Sequence, residues 1–294
     1  MTPKSDSQPL LAVAFMLLAS ALLAGTSLLA KALGQDILGV GLHPLQISHG
    51  RFIFAFILIS SFVAFLRPKF GPLLLPIHIA RTASGWMGIT LIFASIAYIP
   101  LSDAQAISFL NPVFAMVLAI PILGERVGPI RWLAAGIALA GAMVLLRPTP
   151  ETFQPAALLA LGAAVLTGFE ITLIKMLSGR QAPLQILFTN NGLGAMISSV
   201  AVLFVWVMPT PAQWIALVSL GGMMALAQSC FIQSMKRGEA SFVAPVSFSA
   251  LVFAMLLDYL IFGVVPDGVS FIGSAIIVGG AVLLAVREAR AKRR

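Results

Sequence analysis

The sequence predicts an all-α integral membrane protein with ten transmembrane helices, arranged as two inverted five-helix repeats. Three observations carry that reading: composition, ten apolar runs of membrane-crossing length, and an ordered internal repeat. Of 294 residues, 60% are hydrophobic and 10% are charged, and the mean hydropathy is +1.03. Soluble domains carry about 25% charged residues. So little polarity cannot cover a water-facing surface, which excludes a soluble enzyme, a disordered chain and a fibrous one.

A spanning helix needs about 20 mostly apolar residues. Ten stretches meet that requirement, at roughly 10–33, 44–66, 77–99, 102–122, 129–147, 155–177, 183–207, 211–235, 241–263 and 268–287. The first, with Lys4 ahead of it and Ala19-Ser20-Ala21 within it, has features of a signal peptide. It is long for one, and a counterpart recurs later in the chain. Runs such as Leu10 to Ala24 are apolar on every face, unlike the alternating strands of a membrane barrel. The connectors are short and rich in breakers: Arg67-Pro68-Lys69, Gly124-Glu125-Arg126, Arg147-Pro148-Thr149-Pro150, Met208-Pro209-Thr210-Pro211, Lys236-Arg237-Gly238-Glu239 and Val265-Pro266-Asp267-Gly268. None can hold a soluble domain, so any site lies in the bilayer.

The net charge of +8 resides in connectors and tail, where it sets orientation rather than binding nucleic acid. With the N-terminus inside, inner connections hold Arg67, Lys69, Arg126, Arg180, Lys236, Arg237 and the basic tail. Outer connections hold Asp36, Asp103, Glu151 and Asp267. Both termini are therefore expected in the cytoplasm. Cys230 is the only cysteine, so no internal disulfide or cysteine metal site can form.

The two halves, 1–150 and 151–294, repeat one another. Pro44-Leu45-Gln46-Ile47 opens the second span and Pro183-Leu184-Gln185-Ile186 the seventh. Ser108-Phe109-Leu110-Asn111-Pro112-Val113 matches Ser241-Phe242-Val243-Ala244-Pro245-Val246, and Lys31 matches Lys175. Gly136, Ala140 and Gly141 match Ala275, Gly279 and Gly280. Each repeat has five spans, an odd number, so the second copy enters the membrane with opposite polarity. Inverted repeats of this kind place a site near the bilayer midplane, open to either side by rocking of the halves.

Asn111-Pro112-Val113-Phe114, Gly124-Glu125-Arg126-Val127 and the Gly136 to Gly141 stretch, with Ala244-Pro245-Val246, Phe262-Gly263, Pro266-Asp267 and Gly279-Gly280, resemble the drug/metabolite transporter superfamily, of EamA type. The resemblance covers nearly the whole chain. The family pattern puts Gly-Glu after the fourth helix of each repeat; this chain has Gly124-Glu125 but Gly263-Val264. The resemblance implies a central cavity lined by spans one, three, four, six, eight and nine. It also implies a carrier in the bacterial inner membrane, most similar to exporters of amino acids, aromatic or otherwise apolar. Drug or other metabolite export is the alternative within the superfamily; a channel and a membrane-embedded enzyme are the rivals outside it.

Glu170 lies in the sixth span, ~6 Å to the cytoplasmic side of its centre. An acid there costs around 2.5–3.5 kcal/mol to insert, so it needs a wet cavity or a partner, with Arg51 and Lys175 as candidates. It reads as a substrate or proton site, and its repeat counterpart is Thr26. Trp86, Phe93 and Tyr98 of the third span can floor an apolar pocket, with Tyr98 also suited to the interfacial belt. Asn111, Gln228 and Ser229 offer polar contacts. His49 is a group able to titrate near neutral pH, or an interhelical bridge. His78 and Arg81 read as snorkelling to headgroups.

Pro112 and Pro245 lie within spans at matching positions, remove backbone donors and serve as bends for gating. Gly85, Gly88, Gly221 and Gly222 are further hinge candidates, with close packing as the other reading. Lys31, Lys175 and Asp258, near span ends, are candidate gate or coupling groups; snorkelling is the alternative. The pairs Gly136/Ala140 and Ala275/Gly279 suit either packing between the repeats or a homodimer face. The expected partners are a small-molecule substrate and lipid, in a monomer or homodimer. No phosphate-cradling Gly-x-x-x-x-Gly-Lys-Ser/Thr run and no metal-ligand spacing of His43, His49 and His78 is present in the sequence. No cofactor is expected.

Overall fold

A computed structural model describes residues 9–124, 127–146, 154–177, 180–237 and 244–291. Among the described residues, each predicted span holds a helix. The elements are α1 (Pro9–Gly34), α2 (Pro44–Leu66), α3 (Leu75–Ile96), α4 (Leu101–Ser108), α5 (Asn111–Leu123), α6 (Pro129–Leu146), α7 (Ala156–Leu177), α8 (Pro183–Val202), α9 (Pro211–Arg237), a 3₁₀ turn (Ala244–Phe248), α10 (Ser249–Phe262) and α11 (Gly268–Ala291). Among the described residues, six segments are long and apolar enough to cross a membrane: α1, α2, α3, α7, α9 and the combined run Leu101–Leu123. Shorter apolar helices cover Trp132–Val144, Val246–Phe262 and Gly268–Gly280. Helix α8 is more polar, because Gln185, Asn190, Asn191 and Ser198 lie on its buried face.

Local chemistry starts these helices where the sequence allows it. Prolines occupy the first position of α2, α6, α8 and α9, where the missing N–H would have no helical partner anyway. The start of α9 is a capping box: Gln213 N donates to Thr210 Oγ1 at 3.2 Å and Thr210 N to Gln213 Oε1 at 2.9 Å. Asp267 Oδ1 accepts from Ser270 N at 2.8 Å and so caps α11. Gly124 and Gly263 close α5 and α10 at φ 68° and 65°, the left-handed conformation that glycine adopts at least cost.

The fourth span is interrupted rather than bent within a helix, and the described part of the ninth opens on a 3₁₀ turn. A ring at Pro112 inside a continuous helix would clash with the carbonyl four residues back, at Ser108. Instead α4 stops at Ser108, and α5 begins at Asn111 with Pro112 in its first turn. Pro245 lies in the 3₁₀ turn ahead of α10. The expectation that both prolines lie in helix interiors is thus corrected. The two interruptions touch, with the rings of Phe109 and Phe248 edge-to-face at 4.9 Å.

Packing repeats when the halves are exchanged. Helix α1 lies along α9 as α7 lies along α3, and α10 packs on α1 as α5 packs on α7. Helices α2 and α8 pair with each other, as do α6 and α11. The repeated Pro-Leu-Gln-Ile motif shows why its glutamine recurs. Gln46 clamps the backbone of Val207, beyond α8, donating to its carbonyl at 2.6 Å and accepting from its N–H at 3.2 Å. Gln185 clamps Gly71, beyond α2, in the same two-way fashion at 2.8 and 3.0 Å.

The α6–α11 contact decides against one of the two readings of the small-residue pairs. Gly136, Ala140, Ala275 and Gly279 are exposed and do not join the halves. The close approach is made one step round each helix: a side chain on Gly141 would meet the backbone of Ile277 at 2.7 Å, and one on Gly280 that of Ala138 at 2.7 Å.

Gln46→Leu and Gln185→Leu should each leave an N–H and a carbonyl without a partner. Each is expected to cost about 1–3 kcal/mol and to lower the melting temperature in detergent.

Candidate functional site

Two buried polar clusters lie within the helical bundle. The first joins α2, α3 and α7. Arg81 Nη2 pairs with Glu170 Oε1 at 3.3 Å, and Arg51 acts on the same carboxylate through space. Both guanidiniums are buried, and Arg51 lies over the ring of Phe52 at 4.3 Å. Gly85 seats the carboxylate: a Cβ there would lie 2.6 Å from Glu170 Oε2. Close by in sequence, Thr82 Oγ1 donates to Asn190 Oδ1 at 3.1 Å and Thr90 Oγ1 to Ser48 Oγ at 3.0 Å. His78 Nε2 lies 2.6 Å from Gln181 Oε1.

The second cluster joins α1, α4 and α10. Lys31 Nζ pairs with Asp258 Oδ1 at 2.6 Å, with side chains 6% and 0% exposed. Asp258 Oδ2 accepts from Leu101 N at 2.6 Å. That N–H opens α4, where a helix has unsatisfied donors and a partial positive charge. The carboxylate is thus held by a cation and a helix start together. Lys31 also lies over the Phe262 ring at 4.4 Å. The neighbouring Ser270 Oγ donates to Asp103 Oδ2 at 2.9 Å, tying α11 to α4.

The structure brings together some of the predicted residues and separates others. Glu170 is paired as the cost of a bare acid requires, but its ion-pair partner is Arg81 rather than Arg51 or Lys175. His78 and Arg81 do not reach headgroups; both are buried, because Gln181 and Glu170 offer closer partners than the membrane surface. Lys31 does not snorkel either, since Asp258 lies within reach. Lys175 is exposed in the last turn of α7. His49 bridges helices, with Nδ1 3.2 Å from Ser198 Oγ.

Among the cavity candidates, Thr26 is buried and spends its hydroxyl on Leu23 O at 2.7 Å. Trp86 and Phe93 are both buried, in different apolar clusters. Tyr98 is 77% exposed beyond the end of α3, so the three aromatics do not form one floor. Asn111 is half-buried at the start of α5, and Gln228 is half-buried with Oε1 enclosed and unpartnered. Ser229 faces outward, seven and fourteen residues after Gly222 and Ile215 on the same helix face. Its hydroxyl turns back to Ala225 O at 2.8 Å, so its assignment to a cavity is corrected.

The glycines act through close packing. Helices α3 and α9 run unbroken through Gly85, Gly88, Gly221 and Gly222. A Cβ on Gly88 would touch Thr167 at 3.0 Å, and one on Gly221 the α2 backbone at Ala55 N, 2.9 Å away. Gly222 has open space in front of it. Glu125, Arg126, Ser178, Gly179 and the stretch Ser241-Phe242-Val243 lie outside the described residues.

Apolar helices of membrane-crossing length around two buried polar clusters define a multi-pass membrane protein. The EamA-like transporter family profile matches residues 10–147 and 154–286. The chain belongs to the EamA-like transporter family. It is 32% identical over 219 residues to a riboflavin transporter of Vibrio cholerae, covering 74% of each chain. It is 25% identical over 252 residues to an S-adenosylmethionine uptake transporter of Rickettsia prowazekii, covering 85% and 86%. It is 27% identical over 212 residues to the pseudopaline exporter CntI of Pseudomonas aeruginosa, covering 71% and 74%. A solved crystal structure shares the fold with a TM-score of 0.60 at 22% identity, covering 97% of this chain and 98% of that one.

Breaking one partner of the Lys31–Asp258 pair strands a buried charge. Asp258→Ala is therefore expected to cost about 3–5 kcal/mol in detergent unfolding. The double replacement Lys31→Met with Asp258→Leu should recover most of that loss.

Proposed function

We propose that this chain is a secondary carrier of the bacterial inner membrane, with both termini in the cytoplasm. Its cargo is a small metabolite that joins a planar aromatic part to a polar chain. It works by alternating access between two inverted five-helix halves, residues 1–150 and 151–294.

The observation that carries this reading is the meeting of the two interrupted spans at Phe109 and Phe248, between helix pairs whose packing repeats on exchange of the halves. Interrupted helices in matching repeats are the usual frame of a midplane site, because their loosened backbone is tolerated only inside protein. Five spans per half supports the inversion, since an odd count reverses the second copy. Facing phenyl rings at the interruptions oppose a continuous pore, which is what a channel requires.

The aromatic-plus-polar class rests on the relatives. Riboflavin and S-adenosylmethionine, named for two of them, each join a planar heteroaromatic ring to a polar chain. Aromatic amino acids fall in the same class. Export is the direction suggested by the superfamily resemblance, yet the relatives include both uptake and export. A carrier is reversible, so direction follows the gradients imposed on it.

In this scheme Lys31, Asp258 and the start of α4 form a latch at the outer end of the bundle. Pro112 and Pro245 mark the interruptions about which the halves move, with Gly85, Gly88 and Gly221 holding the moving pairs in contact.

Counterflow in liposomes tests the reading with labelled riboflavin, S-adenosylmethionine, phenylalanine and tryptophan. At least one should accumulate against the matching unlabelled solute and not in protein-free vesicles; exchange of none, or single-channel currents, sinks it. In a Cys230→Ala background, Lys31→Cys with Asp258→Cys joined by a thiol cross-linker should stop exchange, and reduction of a cleavable linker should restore it. Exchange that continues while linked removes the latch from the cycle.

A further inference from the structure

The Arg51–Arg81–Glu170 cluster does not balance. Two guanidiniums lie within electrostatic reach of one carboxylate, and among the described residues Glu170 is the one anion acting on either. Arg51 and Arg81 are 7% and 5% exposed, and the Nε of each is buried with no hydrogen-bond partner. Arg81 spends one ion pair on Glu170, at 3.3 Å, and reaches Ile186 O only at 3.5 Å. Arg51 makes no ion pair within 4 Å among the described residues; its guanidinium lies against a phenyl ring instead.

A buried donor left unpaired costs free energy, and a buried surplus charge costs more. Native sites keep such a cost where a ligand removes it. We infer that Arg51 and Arg81 form an anion subsite that takes a single carboxylate of the cargo, with Glu170 as the resident counter-ion. This deepens the carrier reading and rests on it. The surplus is one positive charge, which a monoanion neutralises and a dianionic phosphate overshoots. Guanidinium also presents the planar donor fork that carboxylate matches. The cluster is enclosed by α2, α3 and α7, so a lipid headgroup does not compete for it.

Glu170 is placed to yield. Its side chain is 20% exposed, the most open member of the cluster, and its carboxylate rests on Gly85 rather than in a donor-lined pocket. An entering carboxylate pairs with Arg51 and shares Arg81 as Glu170 swings aside. Removing the Glu170 charge should therefore strengthen anion binding, where a plain substrate-amine site would be weakened.

The test measures thermal stabilisation of the purified full-length protein in nanodiscs by 3-phenylpropionate and by its neutral amide, 3-phenylpropionamide. The wild-type protein should be stabilised by the carboxylate and not by the amide. Arg51→Gln should weaken the apparent carboxylate affinity about tenfold or more; Arg51→Met serves if the glutamine variant misfolds. Glu170→Gln should tighten it. Equal stabilisation by the amide, no stabilisation by either compound, or undiminished affinity in both Arg51 variants overturns the subsite. Binding is read without transport. A protein that binds the carboxylate but exchanges no solute in liposomes overturns the carrier reading alone; one that exchanges solute equally well without Arg51 overturns the subsite alone.

Discussion

Hydrocarbon offers no hydrogen bonds, so a polar group that this chain carries into the bundle costs free energy unless it finds a partner within the protein. The reciprocal glutamines express that constraint most directly. Gln46 reaches from the start of α2 to the chain beyond α8, and Gln185 reaches from the start of α8 to the chain beyond α2. Each satisfies both polar groups of one peptide position. Because each half supplies the clamp for the other, neither half completes its own backbone bonding. The two halves are bound together by the same requirement that makes a lone helix viable in lipid. Apolar packing adds little specificity there, since lipid tails are as apolar as leucine. At Gly141 and Gly280 backbone instead meets backbone.

The helices were legible in the sequence because run length and hydropathy are local properties. So was the repeat, because its glutamines and prolines recur as short exact strings. Partners across helices were not legible. Arg81 and Lys31 lie near helix ends in sequence, and snorkelling is the sound default for a long cation there. What overturned it was the position of Glu170 and Asp258 on other helices, 89 and 227 residues away along the chain. A period of 3.6 residues tells which residues share a face but not which helix that face meets. Ser229 failed for the same reason: its face became visible only with Ile215 and Leu226 exposed beside it. Pro112 was read correctly as a disruption, and misplaced only because a proline interrupts the chain ahead of itself.

The glycines show how a local signal can mislead about mechanism. A glycine inside a spanning helix suggests flexibility, yet α3 and α9 continue through theirs. Gly85 makes room for a carboxylate, and Gly88 and Gly221 for a neighbouring helix. The proposed cycle places its movement instead where regular helix gives way, at the α4–α5 junction and the 3₁₀ turn. Those two places are also in contact, so movement at one is felt at the other through Phe109 and Phe248.

The halves share a frame but not a chemistry, and that difference has an energetic consequence. Counted back from the matching left-handed caps Gly124 and Gly263, the position equivalent to Asp258 is Ala119. Alanine cannot hold a cation or cap a helix start. Likewise Glu170 corresponds to Thr26, whose hydroxyl is spent within its own helix. A two-fold frame with identical halves would make its two access states equal in energy. Here one end carries a buried ion pair with a helix start docked on it, and the matching end cannot repeat it at the equivalent residue. On the proposed alternating-access cycle, the Lys31–Asp258 pair adds to the stability of the state in which it is closed. On that cycle, binding must supply free energy to shift the balance toward the other state. A cargo group that relieves the unpaired guanidinium at Arg51 provides one source of that free energy, in the same bundle and outside the latch itself.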